Sequence, residues 1–204
     1  MPFCFTVEEC MVSEDRLAVL QYSPRAVVKG MNKLSDFPNY AHRPLHQHNG
    51  FELMLVLSGT VHHRVEGHSF VYQPGQCCLM NRNIRHVEDF SSEFQAIFLE
   101  FMPEFAMEIC DRDLCYLPDG TRKHRDTAIY RMFRQNRKHQ EDYEKLYLDF
   151  LPAIPQKELL IHIIPVFQQL LQETEQKKPG HFCMIQSLLS RLFDDLENPE
   201  LFTM

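Results

Sequence analysis

Residues 46–59, HQHNGFELMLVLSG, constrain the fold more than any other stretch of this chain. In an extended strand, alternate side chains point to opposite faces. Phe51, Leu53, Leu55 and Leu57 then form one wholly apolar face. His46, His48 and Glu52 share the other face with Met54 and Val56. Ionisable groups are costly to bury unless they are paired or bound to something. A strand with an apolar outer face and ligand-type inner residues suits the wall of a barrel. Its outside would be covered by helices or by a second subunit.

The surrounding pattern supports that reading. Up to about residue 103, short β-like runs at 16–22, 50–59, 60–66, 68–73, 76–81 and 94–101 alternate with turn signals such as Gly59-Thr60, Glu66-Gly67 and Pro74-Gly75. That spacing predicts a sandwich or barrel rather than alternating βαβ units. After Pro103 the texture becomes helical. Apolar spacings of three and four predict a helix over 126–151, interrupted in its polar middle. A second helix is predicted over 157–176, with Leu160, Ile163, Ile164, Phe167 and Leu171 on one face and a kink or fresh start at Pro165. KKPG (177–180) reads as a turn, and 182–197 places Phe182, Ile185, Leu189, Leu192 and Leu196 in a seam, giving an antiparallel helical hairpin. The expected fold is mainly β with an α appendage: a barrel with an N-terminal arm over 1–103, then a helical region over 104–204.

Composition narrows the function. A net charge of −7 makes the chain as a whole a poor grip for nucleic acid. The run 119–139 holds seven Arg or Lys against two Asp, and is read as a solvated helix face. Seven cysteines without a CxxC pair read as reduced, mostly buried thiols, with Cys77 and Cys78 on opposite faces of one strand and a zinc cluster from Cys110 and Cys115 as a weak alternative. The N-terminus lacks a basic start followed by an apolar run, and LMLVL is far too short to span a membrane. A cytoplasmic protein is expected.

Imidazoles beside a carboxylate suit zinc, iron, nickel, copper or manganese. His86, in NRNIRHVEDF, follows a turn into a new strand and is the fourth candidate beside His46, His48 and Glu52. Tyr72, alternating with Phe70, is a candidate pocket wall, and Arg64 a candidate partner for an acidic effector. His62, His63 and His68 flank a hairpin turn and are expected at the rim or in solvent. His162 is expected to pack within its helix.

His46-x-His48-x3-Glu52-x6-Gly59 resembles the first signature of the cupin superfamily, with Tyr40 in place of its leading glycine. The second signature matches in part. Gly75 and His86 fall in place, while Asn81 and Asn83 replace a proline and a glycine and Phe90 replaces a final asparagine. The resemblance implies His46, His48, Glu52 and His86 as the set that would hold a divalent transition metal (zinc, iron, nickel or manganese), if one is bound. Over roughly 40–195 the chain is similar to the sensor half of AraC-type transcription regulators. That likeness implies a cupin-type double-stranded β-helix barrel, no required cofactor and no catalysis. It also implies a small polar effector such as a sugar or sugar acid, a homodimer through the C-terminal helices, and DNA contact only through a helix-turn-helix domain outside this sequence. A free-standing metal-dependent cupin enzyme, an isomerase or dioxygenase with the same four ligands, is the alternative.

Overall fold

The computed structural model describes residues 5–13, 16–22, 27–33, 45–138 and 144–204. Tyr40, the N-terminal residues 1–4 and the side chain of Cys115 lie outside the described residues. The chain opens with strands β1 (Phe5–Ser13), β2 (Arg16–Tyr22) and β3 (Val27–Lys33). Then come β4 (Phe51–Ser58), β5 (Val61–Val65), β6 (His68–Tyr72), β7 (Cys77–Met80), β8 (His86–Phe90) and β9 (Phe94–Phe101). Helix α1 (Pro103–Arg112) leads through β10 (Leu114–Tyr116) and β11 (Arg122–His124) to α2 (Ala128–Lys138). The chain ends with β12 (Tyr147–Pro152), α3 (Gln156–Gln176), α4 (His181–Leu196) and β13 (Phe202–Thr203). No helix among the described residues is long and apolar enough to cross a membrane.

An eight-stranded sheet, ordered β13-β12-β7-β4-β9-β1-β2-β3, faces a three-stranded sheet, β6-β5-β8. Between them lies one apolar core, with Met54, Val56, Cys78, Met80, Ala96 and Phe98 from the large sheet against Val61, Val65 and Tyr72 from the small one. The other face of the large sheet, with Phe51, Leu53, Leu55, Leu79, Leu99 and Phe101, packs under the helices. The alternation read in residues 51–57 therefore places a barrel interior on one side and a helical cover on the other. Cys77 and Cys78 divide between the same two cores. Cys10, Cys77, Cys78 and Cys110 are buried free thiols and Cys183 is an exposed one.

Gly59 closes β4 with φ of +73°, and a Cβ there would stand 2.0 Å from the Glu93 carbonyl oxygen. Only glycine fits that approach. This fixes the turn into β5.

The helical half differs from expectation at three places. Residues 126–151 do not form one helix: α2 is described over Ala128–Lys138, and Tyr147–Pro152 is a strand. Tyr147, Leu148, Asp149 and Phe150 pair with Met80, Leu79, Cys78 and Cys77, filling the edge that β7 would otherwise leave open. The helical spacing of Leu146, Tyr147 and Phe150 was overridden by that tertiary pairing. Secondly, α3 runs through Pro165 without ending. Burial of Leu159, Ile163, Phe167 and Leu170 on its sheet-facing side outweighs the interior-proline cost of about 3 kcal/mol. Thirdly, His162 is exposed rather than packed. The buried stripe runs Leu159, Ile163, Phe167 and Leu170, so the next inward position after Leu159 comes four residues on, at Ile163, and His162 faces outward.

Since β12 joins the barrel sheet and the helices share its outer core, the chain on either side of residue 103 does not divide into separate cores. At the turn between α3 and α4, Lys177 holds φ of +50°, a left-handed conformation that costs a side chain about 1 kcal/mol. Lys177→Gly is expected to raise stability by about 0.5–1 kcal/mol, read as a rise in the urea midpoint at unchanged slope. A lower midpoint would mean that the lysine side chain makes a contact worth more than the strain.

Candidate functional site

The site is built by three neighbouring segments of the barrel. Residues 46–48 run beside β8: His46 N–H donates to the His86 carbonyl at 3.0 Å, and His86 N–H to the His46 carbonyl at 2.9 Å. This reciprocal pair brings the two imidazole centroids to 4.3 Å, with His48 5.0 Å from His46 and 5.1 Å from His86. Glu52 reaches the cluster from β4. Its Oε2 lies 3.0 Å from His48 Nε2 and its Oε1 3.6 Å from His86 Nε2. His46, His48, Glu52 and His86 are thus gathered in one place.

The two turn residues that depart from the cupin pattern have local explanations. Asn83 sits at φ of +59° and donates its N–H to the His48 carbonyl at 2.7 Å. Asparagine is one of the few side chains that adopts this region readily, so it serves where glycine would. Asn81 donates its backbone N–H to the Leu146 carbonyl and its amide to the Glu144 carbonyl. A proline could not make the first of these. Phe90, in place of the final asparagine, stacks on Phe94 at 4.3 Å.

Two residues that the sequence reading left out complete the cluster. His63, expected at the rim, is 1% exposed, because it alternates inward with Val61 and Val65. Its direct partner across the β5–β8 pair is Glu88, equally buried. Glu88 Oε1 lies 3.3 Å from His86 Nε2 and 3.6 Å from His63 Nε2, and its Oε2 3.8 Å from His46 Nε2. The signal was present: His63 shares parity with two valines, and Glu88 shares parity with His86. Arg64, one residue on, faces outward and is exposed, so it does not join the cluster. His62 and His68 are exposed as expected. Tyr72 lies on the inner wall, its ring 5.7 Å from that of His63, and its hydroxyl donates to Asp149 Oδ1 at 2.5 Å.

Exposure separates a mouth from a floor. The side chains of His46 and His48 are 27% and 29% exposed, whereas those of His86, His63 and Glu88 are at most 2%. Electrostatics differ in the same direction. The Glu52 carboxylate bonded to His48 raises that imidazole to about 9, against the opposing effect of burial. Burial pushes the Glu52 carboxyl up, but the His48 hydrogen bond and the neighbouring imidazoles outweigh it and hold the group at about 2. Burial lowers His63 to about 4, so it is a neutral imidazole near pH 7. Deeper in the barrel, burial pushes the Tyr72 hydroxyl and the Cys78 thiol well above their ordinary ranges.

The donor set fits a transition-metal ion. One donor atom each of His46, His48 and His86 lies within 4.8 Å of the others. His86 Nδ1 lies 2.9 Å from the Ile84 carbonyl oxygen, a contact that assigns the ring proton to Nδ1 and turns Nε2 toward the pocket. Glu52 Oε1 is buried and makes no hydrogen bond.

The basic run 119–139 offers a different surface. A cavity of about 780 Å³ between α1, β11 and α2 is lined by Lys123, His124, Arg125 and Arg134. Much of its charge is internally balanced. Arg125 pairs with Asp113 at 3.1 Å and with Asp194, and Arg134 pairs with Asp126 at 2.8 Å. The solvated-face reading of that run agrees with these pairs.

Among solved structures, the chain is similar to an RmlC-like cupin from Shewanella frigidimarina, at 18% identity over 47% of this chain and 75% of that one, with a TM-score of 0.30. It is also similar to apo ToxT K231A from Vibrio cholerae, at 12% identity over 97% of this chain and 57% of that one, with a TM-score of 0.47. The AraC-like transcriptional activator CuxR is matched at 11% identity over 87% of this chain and 51% of that one, with a TM-score of 0.39. Likenesses at these identities and TM-scores carry nothing about function. No curated protein matches the chain. Residues 34–142, more than half of the chain, match the family model described as the AraC-like ligand binding domain, and the chain belongs to that family.

Proposed function

We propose that this chain is the effector-sensing and dimerisation part of an AraC-type transcription regulator, and not an enzyme. The effector is a small polar molecule such as a sugar or sugar acid, met by His46, His48, Glu52 and His86 with Tyr72 on the wall. The observation that carries this reading is the convergence of three imidazoles and a carboxylate inside a barrel, within a ligand-binding family. Such a cluster offers donors and acceptors to hydroxyl and carboxylate groups, while the apolar wall excludes water. Arg64 has no part in it, since it faces away. DNA contact belongs to a helix-turn-helix domain outside these 204 residues, and the protein works in the cytoplasm.

The effector would act by binding one arrangement of a dimer better than another. Helices α3 and α4 are the proposed dimer contact, where Ile161, Phe182 and Met184 leave apolar surface exposed. Sedimentation at micromolar concentration is expected to give a dimer, and a strictly monomeric chain would remove that part of the reading.

A thermal-shift screen of sugars, sugar acids and other small polar molecules tests the effector claim. A ligand at a hundredfold excess over its Kd stabilises by about 2.7 kcal/mol. His48→Ala and His86→Ala are expected to abolish the shift. The effector site is wrong if a stabiliser acts equally on both variants, or if no molecule in the screen stabilises the wild type.

A second reading, a metal-dependent isomerase or dioxygenase of the cupin type, is favoured by the His86–Ile84 contact, which fixes a ring tautomer suited to ligation. Zinc, iron, nickel or manganese held by His46, His48, Glu52 and His86 would supply Lewis-acid or oxygen-activating chemistry. Stoichiometric metal with turnover lost in His48→Ala would put this reading first.

A further inference from the structure

We propose that His63, His86 and Glu88, on the closed floor of the barrel, form a site for a divalent transition-metal ion such as zinc, distinct from the group of His46, His48 and Glu52 at the mouth. One donor atom from each of the three lies within 4.8 Å of the others, and all three residues are buried. Strand register assembles them. His63 and Glu88 are direct cross-strand partners, and His86 lies two residues before Glu88 on the same face.

The separations suit coordination. Glu88 Oε1 stands 3.3 Å from His86 Nε2 and 3.6 Å from His63 Nε2. Donors bound to a tetrahedral zinc at about 2.0–2.1 Å lie about 3.4 Å from one another. Two imidazole nitrogens and one carboxylate oxygen are also a three-ligand set that zinc accepts while keeping a position for an exogenous donor.

His63 supplies the independent observation. Its side chain is 1% exposed, and neither ring nitrogen makes a hydrogen bond. A residue serving only to fill space between Val61 and Val65 would be better apolar, since burying an unsatisfied imidazole is unfavourable. An ion bound to Nε2 gives this ring its missing partner.

The two groups compete for one atom. The Nδ1 of His86 faces the Ile84 carbonyl, so its Nε2 is the nitrogen available to either group. At the mouth, Glu52 is held by His48 at 3.0 Å, and an ion there must displace that contact. An ion held at the floor through His86 Nε2 therefore excludes one held through the same atom at the mouth. The inference does not rest on the effector reading, and its test uses the metal alone.

The 204-residue chain, stripped with a chelator, would be titrated with Zn²⁺ by calorimetry and with Co²⁺ by visible absorption. Removing a ligand in His63→Leu or Glu88→Gln is expected to weaken zinc binding on the order of 100-fold or more, and His48→Ala less than about 10-fold. Cobalt should give intense tetrahedral-type bands in the wild type and in His48→Ala, but not in His63→Leu. Should a floor variant fail to fold, the long-range ¹H–¹⁵N spectrum of the wild type reads the same point. There the His63 and His86 Nε2 resonances should move with zinc while those of His48 stay. The inference is overturned if the wild type binds no zinc, if His48→Ala loses as much affinity as Glu88→Gln, or if the His48 resonances move and those of His63 do not.

Discussion

Phe133→Ala is expected to destabilise the whole chain by about 3–5 kcal/mol, in a single transition. Phe133 is 1% exposed on α2. Its ring lies 4.8 Å from Phe51 of β4, 5.7 Å from Phe101 of β9 and 5.3 Å from Phe193 of α4. It therefore stands where the barrel's outer face meets two helices, and removing it opens a cavity shared by both. At 2–4 °C per kcal/mol for a chain of this size, the melting temperature should fall by roughly 10 °C. The chain has no tryptophan, so far-UV circular dichroism and tyrosine fluorescence would follow urea unfolding. Coincident curves that shift together are the expected result. If a helical transition moved while the barrel's stayed, the barrel and helices would be separate folding units and the shared core would not couple them.

The metal-free protein is expected to be most stable near pH 6.5 and to lose stability on both sides. His48, raised from 6.5 to about 9 by its bond to Glu52, holds its proton more tightly when folded. Its contribution is complete below pH 6.5 and is lost as pH rises through 9. At about 1.4 kcal/mol per pKa unit, and discounted for partial exposure, that limb amounts to roughly 2 kcal/mol. His63 acts in the opposite sense. Burial lowers it to about 4, so the unfolded chain takes up a proton that the folded one refuses, and stability falls as pH drops from 6.5 through 4. Glu52 adds to the acid limb. Held at about 2, it contributes fully above 4.5 and is lost as pH falls through 2. Thermal melts in chelator across this range should give a peaked profile. His48→Gln should flatten the alkaline limb and His63→Leu the upper part of the acid limb. An alkaline limb of unchanged slope in His48→Gln would show that the His48–Glu52 pair is not its source.

How far the sequence could be read depended on whether a local pattern had one structural solution. The alternation of residues 51–57 had one, because a period of two with apolar residues on one side and His46, His48 and Glu52 on the other specifies a strand with two different faces. The same logic applied to Val61-His62-His63-Arg64-Val65 would have placed His63 inside and Arg64 outside. The chemistry of the side chains, histidine near a hairpin turn and arginine near an acidic effector, drew the reading the other way. Parity was the stronger signal, since one-residue alternation is imposed by the backbone and side-chain polarity is not. Glu88 could have been found by the same rule, two residues beyond His86.

The segment 126–151 had two solutions. Its apolar spacing suits a helix, but Tyr147–Pro152 also completes an open edge of the sheet, and nothing local says that β7 lacks a neighbour there. Asn81 and Asn83 raised a similar question. As departures from a turn pattern they left the geometry open, and only the αL backbone of Asn83 and the Asn81 bonds to Glu144 and Leu146 show how the turn is kept.

By itself, then, the sequence pointed to the barrel, its helical cover and the candidate group of His46, His48, Glu52 and His86, because strand periodicity and short motif spacing are properties of residues near one another in the chain. Only the tertiary structure decided that β12 closes the sheet edge and that His63 and Glu88 line the floor beneath His86. Those depend on which strands become neighbours and in what register, and such pairings join residues far apart in the chain, where no local periodicity reaches.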